Sequence, residues 1–139
     1  LYRPGTQNVA LVGLGNLGRA ILSFFAGRRS RLAVVATFDI DSAKTNCVTF
    51  GCRCYPVADL RTVAAAARIE VAMLTVPAAA AQATADLLVD AGVRGILNFA
   101  PVTLRVPDHV FVEDIDLAMS LEKVAFFARR GQQMERKHA

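Results

Sequence analysis

Residues 8–18 read Asn-Val-Ala-Leu-Val-Gly-Leu-Gly-Asn-Leu-Gly and join a short apolar run to a glycine-rich turn. An uninterrupted apolar run of this length is typical of a strand buried in a parallel sheet. Gly13, Gly15 and Gly18 form the G-x-G-x-x-G pattern. In that pattern the first glycine permits a tight turn, the second lets the backbone approach a pyrophosphate, and the third lets the next helix pack closely. Because residues 17–25 carry apolar side chains at helical spacing, we predict a strand, a phosphate-binding turn and a helix whose N-terminus faces an anion.

An acidic residue, Asp39, stands at the end of the next predicted strand, residues 32–38, about 20 positions beyond the last glycine. A carboxylate there accepts hydrogen bonds from the adenosine ribose hydroxyls and repels a 2′-phosphate, so we expect NAD rather than NADP. The glycine pattern alone is a weak signal because glycines are common in turns, but its place between a strand and a helix makes it specific. The alternative is a turn of the same fold that binds another phosphate ligand, or none.

The rest of the chain continues to alternate between strand and helix patterns, which predicts a parallel sheet covered on both faces. Ser42 and Asp59 are expected to cap a short helical turn and an alanine-rich helix. We therefore predict an α/β fold, a Rossmann-type doubly wound parallel sheet, in a single domain over residues 1–139. The further strands are expected near residues 54–56 and at 69–76, 95–99 and 109–113, and the further helices after residue 59, at 78–91 and at 117–130.

The composition indicates a folded globular protein, with 54% hydrophobic and 20% charged residues in a chain of 139. The net charge of +4 is dispersed along the chain, so it does not indicate a nucleic-acid-binding surface. No apolar run approaches the length of about 18 residues that a membrane span needs, and the N-terminus does not resemble a signal peptide. We expect a soluble, cytoplasmic protein that does not contact a membrane.

Three cysteines, Cys47, Cys52 and Cys54, lie close together in the sequence. An odd number of cysteines in a cytoplasmic chain argues against a disulfide framework. Their spacing matches no common zinc pattern and no histidine is near, so we expect no metal site. We interpret them as small buried or half-exposed residues, with a thiol redox switch as the alternative.

Groups that could transfer a proton beside a nicotinamide ring are few. His138 lies near the C-terminus, His109 begins a predicted strand next to a turn, and Lys123 belongs on the solvated face of the last helix. Hydride-transferring enzymes usually need such a group beside the cofactor, together with a separate substrate pocket. We therefore expect that this chain is not an enzyme.

Several motifs follow one another in an order that resembles one protein family. They are residues 12–20 (Val-Gly-Leu-Gly-Asn-Leu-Gly-Arg-Ala), 36–41 (Ala-Thr-Phe-Asp-Ile-Asp), 74–77 (Leu-Thr-Val-Pro), 91–102 (Ala-Gly-Val-Arg-Gly-Ile-Leu-Asn-Phe-Ala-Pro-Val) and 114–117 (Asp-Ile-Asp-Leu). This order resembles the C-terminal domain of the Rex family of redox-sensing transcriptional repressors, over residues 8–127. The Asn-Phe-Ala-Pro segment is far more specific than the glycine pattern.

The resemblance implies a homodimer that senses the NADH/NAD ratio and releases operator DNA when NADH binds. In the family, an N-terminal winged helix reads the DNA and the C-terminal helix, here residues 117–130, is exchanged with the partner subunit. The winged-helix domain is missing from this chain, because its first predicted element is already the Rossmann strand. We expect a fragment of a longer repressor rather than a relative that has lost direct DNA binding.

The resemblance also implies which residues bind the cofactor, NADH or NAD. The glycine turn would hold the pyrophosphate and Asp39 the adenosine ribose, while two further segments would form the wall around the nicotinamide. Asp116 matches the acid that couples the nicotinamide site to the dimer in the family. The implied binding residues are Gly13, Gly15, Asn16, Leu17, Gly18, Asp39, Thr75, Val76, Pro77, Asn98, Phe99, Ala100, Pro101 and Asp116.

One position departs from the family pattern: Phe24 stands where family members often have a tyrosine, and it cannot supply the hydroxyl that would pair with an acid such as Asp116. Other classes of protein share the glycine turn. The chain is alternatively the cofactor-binding fragment of an NAD-dependent dehydrogenase, the CoA-binding domain of an acyl-CoA ligase, or a nucleotide-gated regulatory module of a transporter. The Asn-Phe-Ala-Pro segment disfavours these alternatives.

Overall fold

The structure is a computed structural model that describes residues 5–28 and 31–138, with side chains described as far as residue 132. The described residues form one seven-stranded sheet in the order β3-β4-β2-β1-β5-β6-β7. All neighbouring strands are parallel except β3 and β4, which form an antiparallel hairpin at one edge. The predicted Rossmann-type doubly wound sheet is therefore confirmed. The strands are β1 Gln7–Val12, β2 Leu32–Asp39, β3 Val48–Thr49, β4 Cys52–Pro56, β5 Ile69–Leu74, β6 Gly95–Asn98 and β7 Phe111–Asp114.

Three of the four α-helices of the described chain cover the two faces of the sheet, and the last lies outside the core. The four helices are α1 Asn16–Phe25, α2 Leu60–Ala66, α3 Ala78–Asp90 and α4 Leu117–His138. The larger core cluster lies under α2 and α3, whose small side chains Ala64, Ala81 and Ala85 are buried and let the helices lie close to the sheet. The smaller cluster on the other face contains Leu22 of α1. The central strand β1 is buried from Val9 to Val12, because both faces of a doubly wound sheet are covered.

The two central strands, β1 and β5, mark the point where the strand order reverses. From β1 the chain adds β2 and β4 on one side, then crosses over and continues from β5 to β7 on the other. The backbone N–H of Thr75 donates to the carbonyl of Val12, which joins the two strand ends (2.9 Å). Ligands of open parallel sheets bind in the crevice at such a reversal, beyond the carboxyl ends of the strands.

Several element boundaries differ from the sequence-based predictions. Strand β5 ends at Leu74 rather than at residue 76, because the chain there turns to bond the glycine turn. The predicted cap at Ser42 is wrong, and Asp59 stands at the predicted N-cap position of α2 but makes no side-chain capping hydrogen bond. In place of a Ser42 cap, the Asp41 carboxylate accepts the N–H of Ala43 (3.0 Å), and Asp59 ends a 3₁₀ turn.

The last helix, α4, continues to His138, beyond the predicted end at residue 130. Every residue of α4 from Leu117 to Gln132 is exposed, so the helix lies outside the core of its own domain. None of the helices in the described part of the chain has the length and apolar character of a membrane span.

Candidate dinucleotide-binding site

The glycine turn connects β1 to α1, and each glycine meets a different physical demand. Gly13 has a φ of +105°, and a Cβ there would lie 2.7 Å from the carbonyl oxygen of Thr75. A Cβ at Gly18 would overlap the carbonyl oxygen of Gly13, so the helix can start this close to the strand only without a side chain. A Cβ at Gly15 would meet nothing within 4 Å. The open space beside Gly15 is where a pyrophosphate approaches such a turn.

The N-terminus of α1 faces the same space. Gly15, its N-cap residue, supplies no side-chain hydrogen bond, and no acidic residue lies in the first turn. Asn16 and Leu17 are exposed at this end of the helix. The first N–H groups of an α-helix have no partner within the helix, and with the helix dipole they favour an anion. The turn is thus chemically suited to a phosphate group.

The carboxylate of Asp39 is fixed against the turn. Its Oδ2 accepts the backbone N–H of Leu14 (2.7 Å), and its Oδ1 accepts the N–H of Asp41 (2.8 Å). The side chain is buried at 8% exposure. Because a carboxylate has about four acceptor sites, each oxygen keeps a lone pair for a further donor such as a ribose hydroxyl. The acid at the end of β2 and the turn after β1 therefore form one unit.

Thr75 follows β5 and ties the turn to the neighbouring strand. Its Oγ1 lies 2.7 Å from the carbonyl oxygen of Gly13 and 3.0 Å from that of Val12. The side chain is thus already engaged within the protein, a role that the sequence analysis did not foresee. Val76 is half-buried and Pro77 is exposed at the start of α3.

The side chain of Asn98, at the end of β6, organises the segment that follows it. Asn98 is fully buried, and its Nδ2 donates to the carbonyls of Ala100 (3.2 Å) and Val102 (3.0 Å) and to Oδ1 of Asp114 (2.9 Å). Its Oδ1 accepts the N–H of Ala100 (3.0 Å). The buried side chain of Asn98 therefore fixes the conformation of the loop. Half-buried Phe99 and exposed Pro101 lie at its surface.

Two acidic residues connect this loop to the last helix. Asp114, which the sequence analysis missed, receives the amide of Asn98, and the N–H of Ile115 donates to the carbonyl of Asn98 (2.8 Å). Asp116 is exposed and is the N-cap of α4, since its Oδ1 accepts the N–H of Met119 (2.9 Å). The parallel register that places Asn98 beside Asp114 was the signal that could have identified Asp114.

The candidate residues that remain are the three considered for proton transfer, together with Phe24. His109 and Lys123 are exposed, and the side chain of His138 lies outside the described part. Phe24 is exposed on α1, with the Arg28 guanidinium 3.8 Å from the centre of its ring. Among the side chains that the structure describes, residues 5–28 and 31–132, no group of three or more histidine, cysteine or acidic side chains is placed to hold a metal ion.

The fold and this site define a nucleotide-binding Rossmann domain. The sequence model of the CoA binding domain family matches residues 5–102, and the chain belongs to that family. The resemblance to Rex repressors is also confirmed. The chain is 41% identical, over 96% of its length, to the redox-sensing transcriptional repressor Rex of Lactiplantibacillus plantarum. It spans 60% of that relative.

Solved structures of a Rex-family repressor, RSP, have the same fold. RSP in complex with β-NADH superimposes with a TM-score of 0.84 and 31% identity, over 94% of this chain and 64% of RSP. RSP in complex with β-NAD⁺ and operator DNA gives a TM-score of 0.83 and 31% identity, over 94% and 60% of the two chains. The predicted fold class is thereby confirmed by relatives as well as by the topology.

Proposed function

We propose that this chain is the NADH/NAD-sensing regulatory domain of a redox-responsive transcriptional repressor. The observation that carries the proposal is the Asp39 carboxylate held against the glycine turn by the N–H of Leu14, at the reversal point of the sheet. This pairing suits a dinucleotide, because it joins a pyrophosphate site to an acceptor for ribose hydroxyls. The similarity to Rex repressors, one of them solved with NADH and with NAD⁺, supports the same ligand.

In this proposal different residues bind different parts of the dinucleotide. Asn16, Leu17 and Gly18 present their N–H groups to the pyrophosphate, while Gly13 and Gly15 make room for it. Asp39 accepts hydrogen bonds from the adenosine ribose. The nicotinamide half lies against two segments whose conformations are set by Thr75 and Asn98. These segments are Thr75, Val76, Pro77 and Asn98, Phe99, Ala100, Pro101.

We infer that the site senses the redox state of the dinucleotide and does not catalyse a reaction. The two redox forms of the ligand differ in ring charge and planarity, so a site that distinguishes them must pass that difference to a movable element. Asn98 contacts Asp114 and Ile115, and the chain then enters Asp116, the cap of α4. This route joins the nicotinamide wall to the base of the last helix. The protein is therefore proposed to be a regulator and not an enzyme.

The partner of α4 is proposed to be a second copy of this chain, and the helix is exchanged between the two subunits of a homodimer. The described part of α4 exposes six large apolar side chains, which are Leu117, Met119, Leu121, Val124, Phe126 and Phe127. Such a surface is rarely left in water by a soluble protein.

The resemblance to Rex repressors supports three further parts of the proposal. DNA binding is assigned to an N-terminal winged-helix domain outside this chain, and NADH binding releases the operator DNA. The protein acts in the cytoplasm and does not contact a membrane.

A second ligand, CoA, is favoured by the family to which the chain belongs. CoA carries a phosphate on its adenosine ribose, whereas NAD(H) carries none there. A carboxylate at the position of Asp39 repels a phosphorylated ribose. The charge at this position therefore favours the dinucleotide over CoA.

Calorimetric titration of the chain with NADH, NAD and CoA tests the proposal. We expect NADH to bind at least about tenfold more tightly than NAD. A ligand shifts the equilibrium between two conformations of a protein only if it binds one conformation more tightly than the other. Equal affinities for NADH and NAD would refute sensing, and tighter binding of CoA would favour the second ligand.

The variant Asp39→Ala tests the placement of the ribose. We expect it to weaken both dinucleotides, whereas Asp41→Asn, an exposed acid in the same turn, serves as the matched control. Thermal unfolding of each variant shows that the fold is retained. Unchanged dinucleotide affinity in a folded Asp39→Ala protein would mean that the ribose binds elsewhere.

A further inference from the structure

The hairpin at the edge of the sheet carries all three cysteines of the chain. Val48 pairs with Arg53 across the hairpin, and the same register continued by one residue places Cys47 opposite Cys54. The backbone supports this pairing, because the N–H of Cys54 donates to the carbonyl of Cys47 (2.9 Å). Cys47 and Cys54 therefore face each other across two neighbouring segments of chain.

The backbone hydrogen bonds at this pair hold the two cysteines at a spacing close to that of a regular antiparallel pair, which suits a disulfide. The N–H of Asn46 donates to the carbonyl of Cys54 (2.7 Å), so Asn46 and Cys47 together oppose Cys54 in a bulge. Residues opposed in an antiparallel pair have Cα atoms roughly 4.5–5.5 Å apart. Disulfides form at Cα separations of about 4.4–6.8 Å. A bond between Cys47 and Cys54 thus needs adjustment of side chains and no rearrangement of the sheet.

The third thiol, that of Cys52, is less suited to form a disulfide with Cys47 or with Cys54. Sγ of Cys52 lies 3.1 Å from the carbonyl oxygen of Val34, and Cys52 is opposed by Thr49. Cys52 and Cys54 are two positions apart on one strand, so their Cα atoms are about 6.6 Å apart, near the upper limit for a disulfide. The hairpin therefore singles out Cys47 and Cys54 and leaves Cys52 as an internal control.

The two thiols differ in access to solvent. Cys47 is exposed and Cys54 is fully buried. Burial raises the pKa of the Cys54 thiol, and this effect outweighs the hydrogen bond with Thr37, which lowers the pKa. The Asp39 carboxylate and Cys47 add smaller contributions that raise the pKa, and Lys44 a small one that lowers it. Because the thiolate is the reactive form, the exposed thiol reacts first with an oxidant and the buried thiol reacts second.

We propose that Cys47 and Cys54 form a redox pair that hydrogen peroxide converts to an intramolecular disulfide beside the dinucleotide site. In the first step the Cys47 thiol attacks peroxide, the O–O bond breaks, and a sulfenic acid and one water form. In the second step the Cys54 sulfur attacks the Cys47 sulfur, the S–O bond breaks, and a second water leaves with the Cys54 proton. Two thiols and one peroxide thus give one disulfide and two waters, and a thiol reductant reverses the change.

Cys54 is connected to Asp39, the proposed ribose-binding residue, in two ways: by the pairing of their strands and by a shared core cluster. Cys54 is paired with Thr37 in the sheet, and Pro56 on the same strand is paired with Asp39. Cys54 also belongs to the core cluster of Leu14, whose N–H holds the Asp39 carboxylate. Drawing the Cys54 sulfur toward Cys47 disturbs this packing, so oxidation is expected to weaken dinucleotide binding severalfold. This consequence rests on the proposed function, whereas the disulfide does not.

Peptide mapping of the chain, before and after peroxide treatment, tests the pair directly. Trypsin cleaves after Lys44, Arg53 and Arg61, which places Cys47 and Cys52 in peptide 45–53 and Cys54 in peptide 54–61. We expect these two peptides to be cross-linked after oxidation, and to remain so in Cys52→Ser. The cross-link disappears in Cys47→Ser, an exposed position where folding is retained. Its formation accelerates as the pH rises toward the pKa of Cys54.

A disulfide within peptide 45–53, a disulfide between two chains, or loss of the cross-link in Cys52→Ser would each overturn the pair. Titration of the reduced and oxidised Cys52→Ser protein with NADH then tests the coupling. Weaker binding only in the oxidised form supports it, and equal binding in both forms refutes it. Failure of the reduced protein to bind NADH would refute the proposed function and leave the mapping result intact.

Discussion

At the scale of single residues, the glycine turn shows that three glycines can be required for three different reasons. Gly13 is needed for its positive φ and Gly18 for its closeness to a carbonyl, and both demands come from the protein itself. Gly15 has a φ of −74° and open space around it, so nothing in the described part of the chain requires a glycine there. The proposed function accounts for a glycine here, because a pyrophosphate would approach the turn at this point.

The variants Gly15→Ala and Gly18→Ala separate these demands. We expect Gly18→Ala to lower the free energy of unfolding by about 1–3 kcal/mol, since the methyl group overlaps the Gly13 carbonyl and displaces the helix. Gly15→Ala should cost less than about 1 kcal/mol. It should nevertheless weaken NADH binding at least about tenfold, because the methyl group occupies the approach of the pyrophosphate. Denaturant unfolding and calorimetry measure the two effects, and an unchanged NADH affinity in Gly15→Ala would contradict this placement.

Asn98 is the second residue whose chemistry follows from its contacts. Its amide is buried and bonds both the loop after β6 and Asp114. We expect Asn98→Asp to lower the free energy of unfolding by at least about 2 kcal/mol, because a buried carboxylate replaces two N–H donors and faces the Asp114 carboxylate. Burial raises the pKa of the new acid, so its cost is smallest below the ordinary carboxyl pKa and grows as the pH rises.

The control for this variant is Asp114→Asn, which keeps an acceptor for the Asn98 amide at an exposed position. It should change stability by no more than about 0.5 kcal/mol. Denaturant unfolding at pH 4 and pH 7 compares the two variants. A cost for Asn98→Asp that is the same at both pH values would argue against a buried carboxylate at this position.

At the scale of elements, α4 differs from the other helices because it has a capped start and, as far as Gln132, no buried face. Asp116 satisfies the N–H of Met119, so the first turn is stabilised locally. Its apolar residues remain in solvent in the single chain. A helix of this kind gains most of its stability from packing against another surface, which is why we assign it to a dimer.

A charge introduced into the apolar surface of α4 tests that assignment. We expect Leu121→Glu to dissociate the dimer, since a buried unpaired carboxylate is costly at an apolar interface. Lys123→Glu introduces the same side chain at a polar position of the same helix and should leave the dimer intact. Light scattering during gel filtration gives the mass of each species. A wild-type chain that is monomeric at all concentrations would refute the exchanged helix.

At the scale of the whole molecule, two core clusters hold the sheet between helices, and the proposed ligand site lies where the strand order reverses. A ligand bound at the proposed site would contact the ends of β1, β2, β5 and β6 together. Its binding energy therefore adds to the stability of the folded state as a whole rather than to one element.

We expect NADH at about 100 times its Kd to add about 2.7 kcal/mol to the free energy of unfolding. For a domain of this size, that corresponds to a rise in Tm of roughly 10 °C. Scanning calorimetry with NADH, NAD and CoA at equal concentrations ranks the ligands, and Gly15→Ala should show a smaller rise with NADH. A larger rise with CoA than with NADH would contradict the proposed ligand.

The sequence alone determined the class of fold, the glycine turn, Asp39 and the family resemblance, because these depend on local periodicity and on residue types at short spacing. The tertiary structure decided what distant residues do to one another. Only the register of neighbouring strands brings Asp114 to Asn98 and Cys54 opposite Cys47, and only the crossover brings Thr75 to the glycine turn. Contacts between strands depend on how the whole chain packs, which no local pattern encodes.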